Sequence, residues 1–276
     1  MGSSRKTTSF LFFYTSNIYI MSERESNHTL ETILSHRSVR SYKKQPIQES
    51  VIEMVLHAAT RASTTGNMQL YSIIVNQDEE MKKKIAPAHF NQPAVTSAAA
   101  VLTFCADFRR FNQWCRCRDA EPGYDNLQSF MWAVVDAVAA TQNACIAAES
   151  LGLGICYMGT VTYNAHELIK IYGLPKGVVP VTCITMGYPA EEPPLADRLP
   201  MEGIVHQEMY HDYDRERIDS VYAERETSAE TLRLLKENDL PNLARIFTER
   251  RYKAEDNVAF SRLFMKVLEE QGFMNF

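Results

Sequence analysis

Hydrophobic and polar positions follow helical and strand periods along this chain, and one stretch dominates. From Leu127 to Leu151 there is no glycine or proline, and apolar or small residues recur at Leu127, Met131, Val134, Val138, Thr141, Cys145 and Ala148. That spacing predicts a helix. A second row, Phe130, Val135, Ala139 and Ile146, lies beside the first, and only Asp136, Gln142, Asn143 and Glu149 interrupt it. A helix apolar on nearly all sides is expected to be buried. At about 1.5 Å per residue it would span roughly 35–40 Å, the width of a domain. Asp136 and the amides fall mid-segment and argue against a membrane span. Part of the surface is expected to be covered by a second subunit. Gly152 and Gly154 are expected to stop the helix, and Ile155 to Met158 to form a short strand ended by Gly159. Such a glycine is either a tight turn or a place where a flat ligand meets bare backbone.

The same periodicity places a short helix over Thr29–Ser35 and another over Glu49–Ala62, with Val51, Met54, Val55 and Ala58 inward. Strands are expected at Tyr71–Asn76, Ala100–Ala106 and Val178–Met186, the last of the fully buried type. Asp78–Ile85 and Phe108–Glu121 read as surface helices, and Ala165–Tyr172 as a further helix. From Asp212 onward the chain reads as charged helix, ending in the periodic segment Val258, Phe260, Leu263, Phe264, Val267 and Leu268. Residues 1–20 differ in pattern from the rest of the chain and read as an extension outside the fold. Residues 21–276 read as one domain, with 206–276 a mainly helical C-terminal extension.

An apolar content of 45% allows a sizeable core in 276 residues. A net charge of −5 with no basic tract gives no reason to expect a nucleic-acid partner. Six cysteines, of which only Cys115 and Cys117 are close, complete no zinc pattern and read as reduced thiols of a cytoplasmic protein. The histidines pair with no Ser or Cys motif, so no catalytic triad is expected. No G-x-G-x-x-G fingerprint separates NADPH from NADH.

Two stretches suggest ligand chemistry. His36-Arg37-Ser38-Val39-Arg40 places two guanidiniums three residues apart around a hydroxyl, which is either a phosphate grip or a solvated basic loop. The loop Ser63-Thr64-Thr65-Gly66-Asn67-Met68-Gln69 either binds a polar ligand or caps local backbone.

These two stretches, with the AAESLGLGICYMGT segment and the MGYPAEEPPLADRLP loop, stand in the order found in one family. The sequence resembles the FMN-dependent nitroreductase/flavin reductase family, most closely its larger NADPH-preferring oxygen-insensitive group. The resemblance implies an α+β, nitroreductase-like fold: a central, mostly antiparallel sheet wrapped by helices, with a helical C-terminal extension. It also implies a homodimer that binds FMN and takes electrons from NADPH or NADH. Nitroaromatics, quinones or flavins would be reduced by ping-pong hydride transfer, with no catalytic side chain; the alternative is a flavin-binding or sensing protein with little turnover. By the same resemblance, His36, Arg37, Ser38 and Arg40 hold the phosphate and ribityl chain. Ser63, Thr64, Thr65, Asn67 and Gln69 reach FMN, partly from the second subunit. Gln92 lies near the ring, Tyr157, Met158, Gly159 and Thr160 run along it, and Arg198 binds phosphate. The chain departs from the group at Ala196, where a lysine is common, and at Thr160, where a second glycine is common and where a side chain is expected to narrow the pocket.

Overall fold

Among residues 27–275, which the computed structural model describes, four strands pair antiparallel in the order β1-β2-β4-β3. They are β1 Tyr71–Asn76, β2 Ala100–Asp107, β3 Gly154–Tyr157 and β4 Val178–Gly187. The expected N-terminal extension, residues 1–20, lies outside the described residues. Around the sheet run α1 His28–Leu34, α2 Glu49–Ala59, α3 Glu79–Ile85, α4 Pro93–Ser97, α5 Arg109–Arg116, α6 Leu127–Ser150 and α7 Ala165–Tyr172. The C-terminal part adds α8 Arg215–Thr227, α9 Ala229–Asn238, α10 Leu243–Ile246 and α11 Ala254–Glu270. Val267 and Leu268 of α11, with Phe273 after it, are buried in one cluster with Phe130 and Leu70.

The central helix is present, but its inward face differs from the expectation. Ala133, Ala137, Ala140, Ala144 and Ala148 form its fully buried row. Alanine lets a helix axis come close to the sheet, which larger side chains would hold off. The larger residues Leu127, Met131, Val135 and Val138 are instead 41, 47, 60 and 43% exposed. In α2 the buried face is Ile52, Val55 and Ala59, and Met54 is exposed. Both spacings are helical, so periodicity alone does not select the inward row.

The end of α6 separates two glycines that the sequence treats alike. Gly152 has φ +78°, its N–H bonds the Glu149 carbonyl at 3.0 Å, and Leu153 N–H bonds the Ala148 carbonyl at 3.0 Å. This is a Schellman stop. Gly154 takes no part in that stop; it opens β3 and pairs across the sheet with Gly187. A Cβ on Gly154 would lie 2.7 Å from Val39, and one on Gly187 would lie 2.8 Å from the Tyr42 ring. The two glycines therefore clear a seat for the segment around Val39 and Tyr42. That segment is bonded there: Val39 N–H donates to the Ile155 carbonyl at 2.9 Å and Lys43 N–H to the Tyr188 carbonyl at 2.8 Å. Tyr42 Oη completes the seat, within 2.7 Å of both the Val39 carbonyl and Thr185 Oγ1.

Gly154→Ala is expected to destabilise the fold by about 1–3 kcal/mol, the usual cost of overpacking. Val39→Ala should recover part of that loss in the double variant. Urea midpoints of the three proteins check this, and an unchanged midpoint for Gly154→Ala would mean the seat is not tight.

Candidate functional site

The seated segment brings His36, Arg37, Ser38 and Arg40 to the edge of β3, where Ser38 bridges Ile155 in parallel. His36 Nδ1 lies 2.6 Å from Glu149 Oε1 on α6. Burial raises the Glu149 pKa, while His36 and the Arg37 N–H act in the opposite direction. The Arg37 guanidinium pairs with Glu192, and its Nε is buried with no partner among the described residues. Arg40 lies beside Cys156, whose thiol is pushed up by burial and pulled back by that charge.

His36, Gln142, Glu149, Leu195 and Arg198 line a cleft of about 320 Å³. Arg198 folds back on its own loop, donating to the Asp197 carbonyl at 2.9 Å, and makes no ion pair among the described residues. The loop itself is held by Arg37–Glu192 at one point and by Arg225–Asp197, at 3.0 Å, at another.

Beyond β3 the chain alternates. Tyr157 and Gly159 are exposed, whereas Met158 and Thr160 turn inward. Tyr157 Oη donates to Gln142 Oε1 at 3.3 Å, which places it next to the cleft. Gly159 lies outside the left-handed region, and a Cβ there would meet nothing within 4 Å. Met158 is packed in the core, and Thr160 Oγ1 lies 2.8 Å from His89 Nδ1. Both can offer outward only their backbone. The Thr160 side chain, expected to narrow the pocket, is turned inward and engaged by His89.

Gln92 comes after two left-handed residues, Phe90 and Asn91, and its side chain makes no hydrogen bond among the described residues. The His89–Thr160 contact sets this loop beside the Gly159 turn. The Ser63–Gln69 loop stands apart. Asp136 accepts from Thr65 N–H at 2.8 Å, Thr65 Oγ1 at 3.0 Å and Leu70 N–H at 3.0 Å. No hydrogen bond among the described residues joins this loop to the His36–Arg40 segment. Contacts thus link His36–Arg40 to β3, bring His36 and Arg198 to one cleft, and tie the loop before Gln92 to the Gly159 turn, whereas the Ser63–Gln69 loop is bonded to Asp136 on α6.

Glu149 and Gln142, which line the cleft, are not among the site residues expected from the sequence, and neither is Asp136, which holds the Ser63–Gln69 loop. A signal for them exists: each breaks an otherwise apolar helix. Asn143, the fourth such residue, donates to the Ala58 carbonyl at 3.3 Å and ties α6 to α2. His89 carries no such signal, since a lone histidine has no period or partner in sequence.

The nitroreductase family model matches residues 33–188. The chain is 35% identical over 187 residues to an FMN reductase (NADPH) of Bacillus subtilis, covering 67% of this chain and 75% of that protein. It is 36% identical over 186 residues to an oxygen-insensitive NADPH nitroreductase of Salmonella typhimurium, covering 67% and 76%. A crystal structure from Bacteroides fragilis superposes with a TM-score of 0.87 at 47% identity, covering 89% of this chain and all of that one.

His89 is fully buried, and burial lowers its pKa from 6.5 to about 4. A group whose folded pKa lies below its unfolded value lends stability above the unfolded pKa and loses it as pH falls. Stability should therefore drop between pH 6.5 and about 4, by up to about 3 kcal/mol. His89→Asn, which cannot titrate, should flatten that part of the curve. Urea midpoints across this range test the assignment, and a wild-type acid slope in the variant would place the sensitive group elsewhere.

Proposed function

The chain belongs to the nitroreductase family, and from that premise we propose that it is an NAD(P)H-dependent FMN oxidoreductase that reduces small acceptors such as nitroaromatics, quinones or free flavins. The observation that carries this reading is the seating of the basic segment on β3. It sets His36–Arg40 beside β3, the strand whose end runs into the Gly159 turn. The residues fit FMN on two counts: the Arg37 Nε is buried without a partner among the described residues, and the space beside Gly159 is open.

Arg37, Arg198 and His36 would hold the phosphate, where charge-assisted hydrogen bonds are the strong kind. Glu149 fixes the His36 ring, and Ser38 and Arg40 lie along the same edge. Gly159 lets a flat ring lie against backbone, and the free amide of Gln92 can bond to it. Tyr157 borders the ring-side turn, to which Met158 and Thr160 contribute backbone. FMN supplies the hydride chemistry when bound, and NADPH or NADH is the electron donor. The protein's part is to bind, orient and exclude water, so no side chain is assigned a catalytic role.

The Ser63–Gln69 loop, anchored on α6 away from this cluster, serves the second copy's site in a homodimer. The uncovered row Leu127, Met131, Val135 and Val138 is the surface that copy would bury. We read residues 21–276 as a single domain, with 206–276 a helical extension packed on it. A cytoplasmic setting without membrane or nucleic-acid partners agrees with the net charge of −5 and with the alanine face of α6 in the core.

Anaerobic addition of NADPH to FMN-loaded protein should bleach the flavin rapidly, and an acceptor should restore its colour. Bound flavin that no pyridine nucleotide reduces would favour a flavin-binding protein with little turnover. Arg198→Ala should weaken FMN by about 1.5–3 kcal/mol while leaving riboflavin, which lacks the phosphate, nearly unaffected. Titrations with both ligands check this, and equal weakening would remove the phosphate role.

Val135→Glu places a charge in the uncovered row and should convert dimer to monomer at micromolar concentration. Sedimentation velocity reads the result. A wild-type protein that sediments as a flavin-loaded monomer would end the dimer reading.

A further inference from the structure

Three consecutive residues shortly before Gln92 are tied to the turn around Gly159. Asn164 Nδ2 donates to the Ala88 carbonyl at 2.9 Å. His89 Nδ1 meets Thr160 Oγ1 at 2.8 Å. The Phe90 ring packs on Tyr163 at 6.4 Å and on Phe260 of α11 at 6.4 Å, and those two rings stack at 4.4 Å. Phe90 and Asn91 both sit at φ +54°. A bulky residue in the left-handed region is unfavourable and persists only where its surroundings over-determine it.

His89 itself is costly where it stands. It is 0% exposed, Thr160 is the only hydrogen-bond partner of its side chain among the described residues, and its Nε2 has none there. An apolar residue of similar size would avoid the penalty for a buried, unsatisfied polar atom. The imidazole is therefore poorly explained as packing. The bond it makes does have a use, since it joins the two loops that flank the proposed ligand position.

We propose that His89 is a positioning residue which, through Thr160, locks the Gln92 loop to the Gly159 turn and so fixes the spacing of the Gln92 amide and the Gly159 backbone before FMN binds. The inference rests on the proposed FMN site. It assigns Thr160 a role turned into the protein, and gives α11 a share in the same brace through Phe260.

The test is a double-mutant cycle on purified protein, read by FMN titration, by the visible spectrum of bound FMN and by a melting curve. His89→Leu and Thr160→Val each remove the bond, the second at nearly constant volume. Each is expected to weaken FMN about tenfold and to shift the flavin absorption bands, and the double variant should be no worse than either single one. His89→Asn, whose amide can replace Nδ1 as the partner of Thr160, should restore both affinity and spectrum. Should His89→Leu fail to fold, Thr160→Val and His89→Asn carry the comparison. Folded Thr160→Val with wild-type affinity and spectrum overturns the positioning role, as do additive losses in the double variant. In either case, FMN binding by the wild type leaves the functional reading standing. A wild-type protein that binds no FMN overturns both.

Discussion

The paired glycines Gly154 and Gly187 are the constraint on which the candidate site depends. A sheet position with a Cβ pushes its neighbour away. Two facing positions without one leave a bare patch, and the segment around Val39 and Tyr42 settles into it. Close contact would mean little without bonding, and the backbone bonds to Ile155 and Tyr188 supply it. The consequence is reach. With Val39 pinned, His36 and Arg37 cannot swing freely. They lie where Glu149 from α6 and Glu192 from the late loop can meet them. The backbone of a basic loop is thereby held in place against the sheet.

The central helix does the complementary work. Its alanine row sits close on the sheet and α2, and its polar residues emerge at set heights. Asp136 grips the Ser63–Gln69 loop, Asn143 grips α2, and Gln142 and Glu149 face the cleft. Asp136 and Glu149 lie about 20 Å apart along the axis, at about 1.5 Å per residue. That distance keeps the hydroxyl-rich loop and the basic segment apart within one chain. In the proposed homodimer it is the second copy that brings them to one ligand.

Much of the fold was legible because its elements obey simple periods. The strand Tyr71–Asn76 and the helix Ala165–Tyr172 match the expected limits, and α6 ends at Ser150, just short of the expected Leu151. What periodicity could not supply was phase. In α6 the large residues form the more conspicuous row, yet the small ones face inward, because close packing on the sheet selects volume as well as hydrophobicity. Gly154 reads as a helix stop in sequence, which shows where a glycine falls but not what lies against it. The basic segment and the ring-side turn were visible as residue types. Their adjacency came from the parallel bridge at Ser38 and Ile155, a long-range contact with no local signature. His89 was invisible for the same reason.

The charges around the cleft differ in how readily they can be given to a ligand. Glu149 is mostly buried, so its bond to His36 is shielded from solvent and holds the ring in place. Glu192 has 82% of its side chain exposed, and an exposed ion pair with Arg37 is worth little, about 0–1 kcal/mol. A dianionic phosphate would outcompete it at small cost. Arg198 has no acidic partner among the described residues and contacts only carbonyls of its own loop. Ala196 beside it leaves the loop without the second cation that the resembling group often carries there. The order of availability is then Arg198, Arg37, His36, running from unpaired through weakly paired to fixed. In the proposed phosphate site, the anchored group would set the register and the two loosely held ones would close on the charge. The chain places the anchored group against the buried helix and the least restrained one on the surface loop.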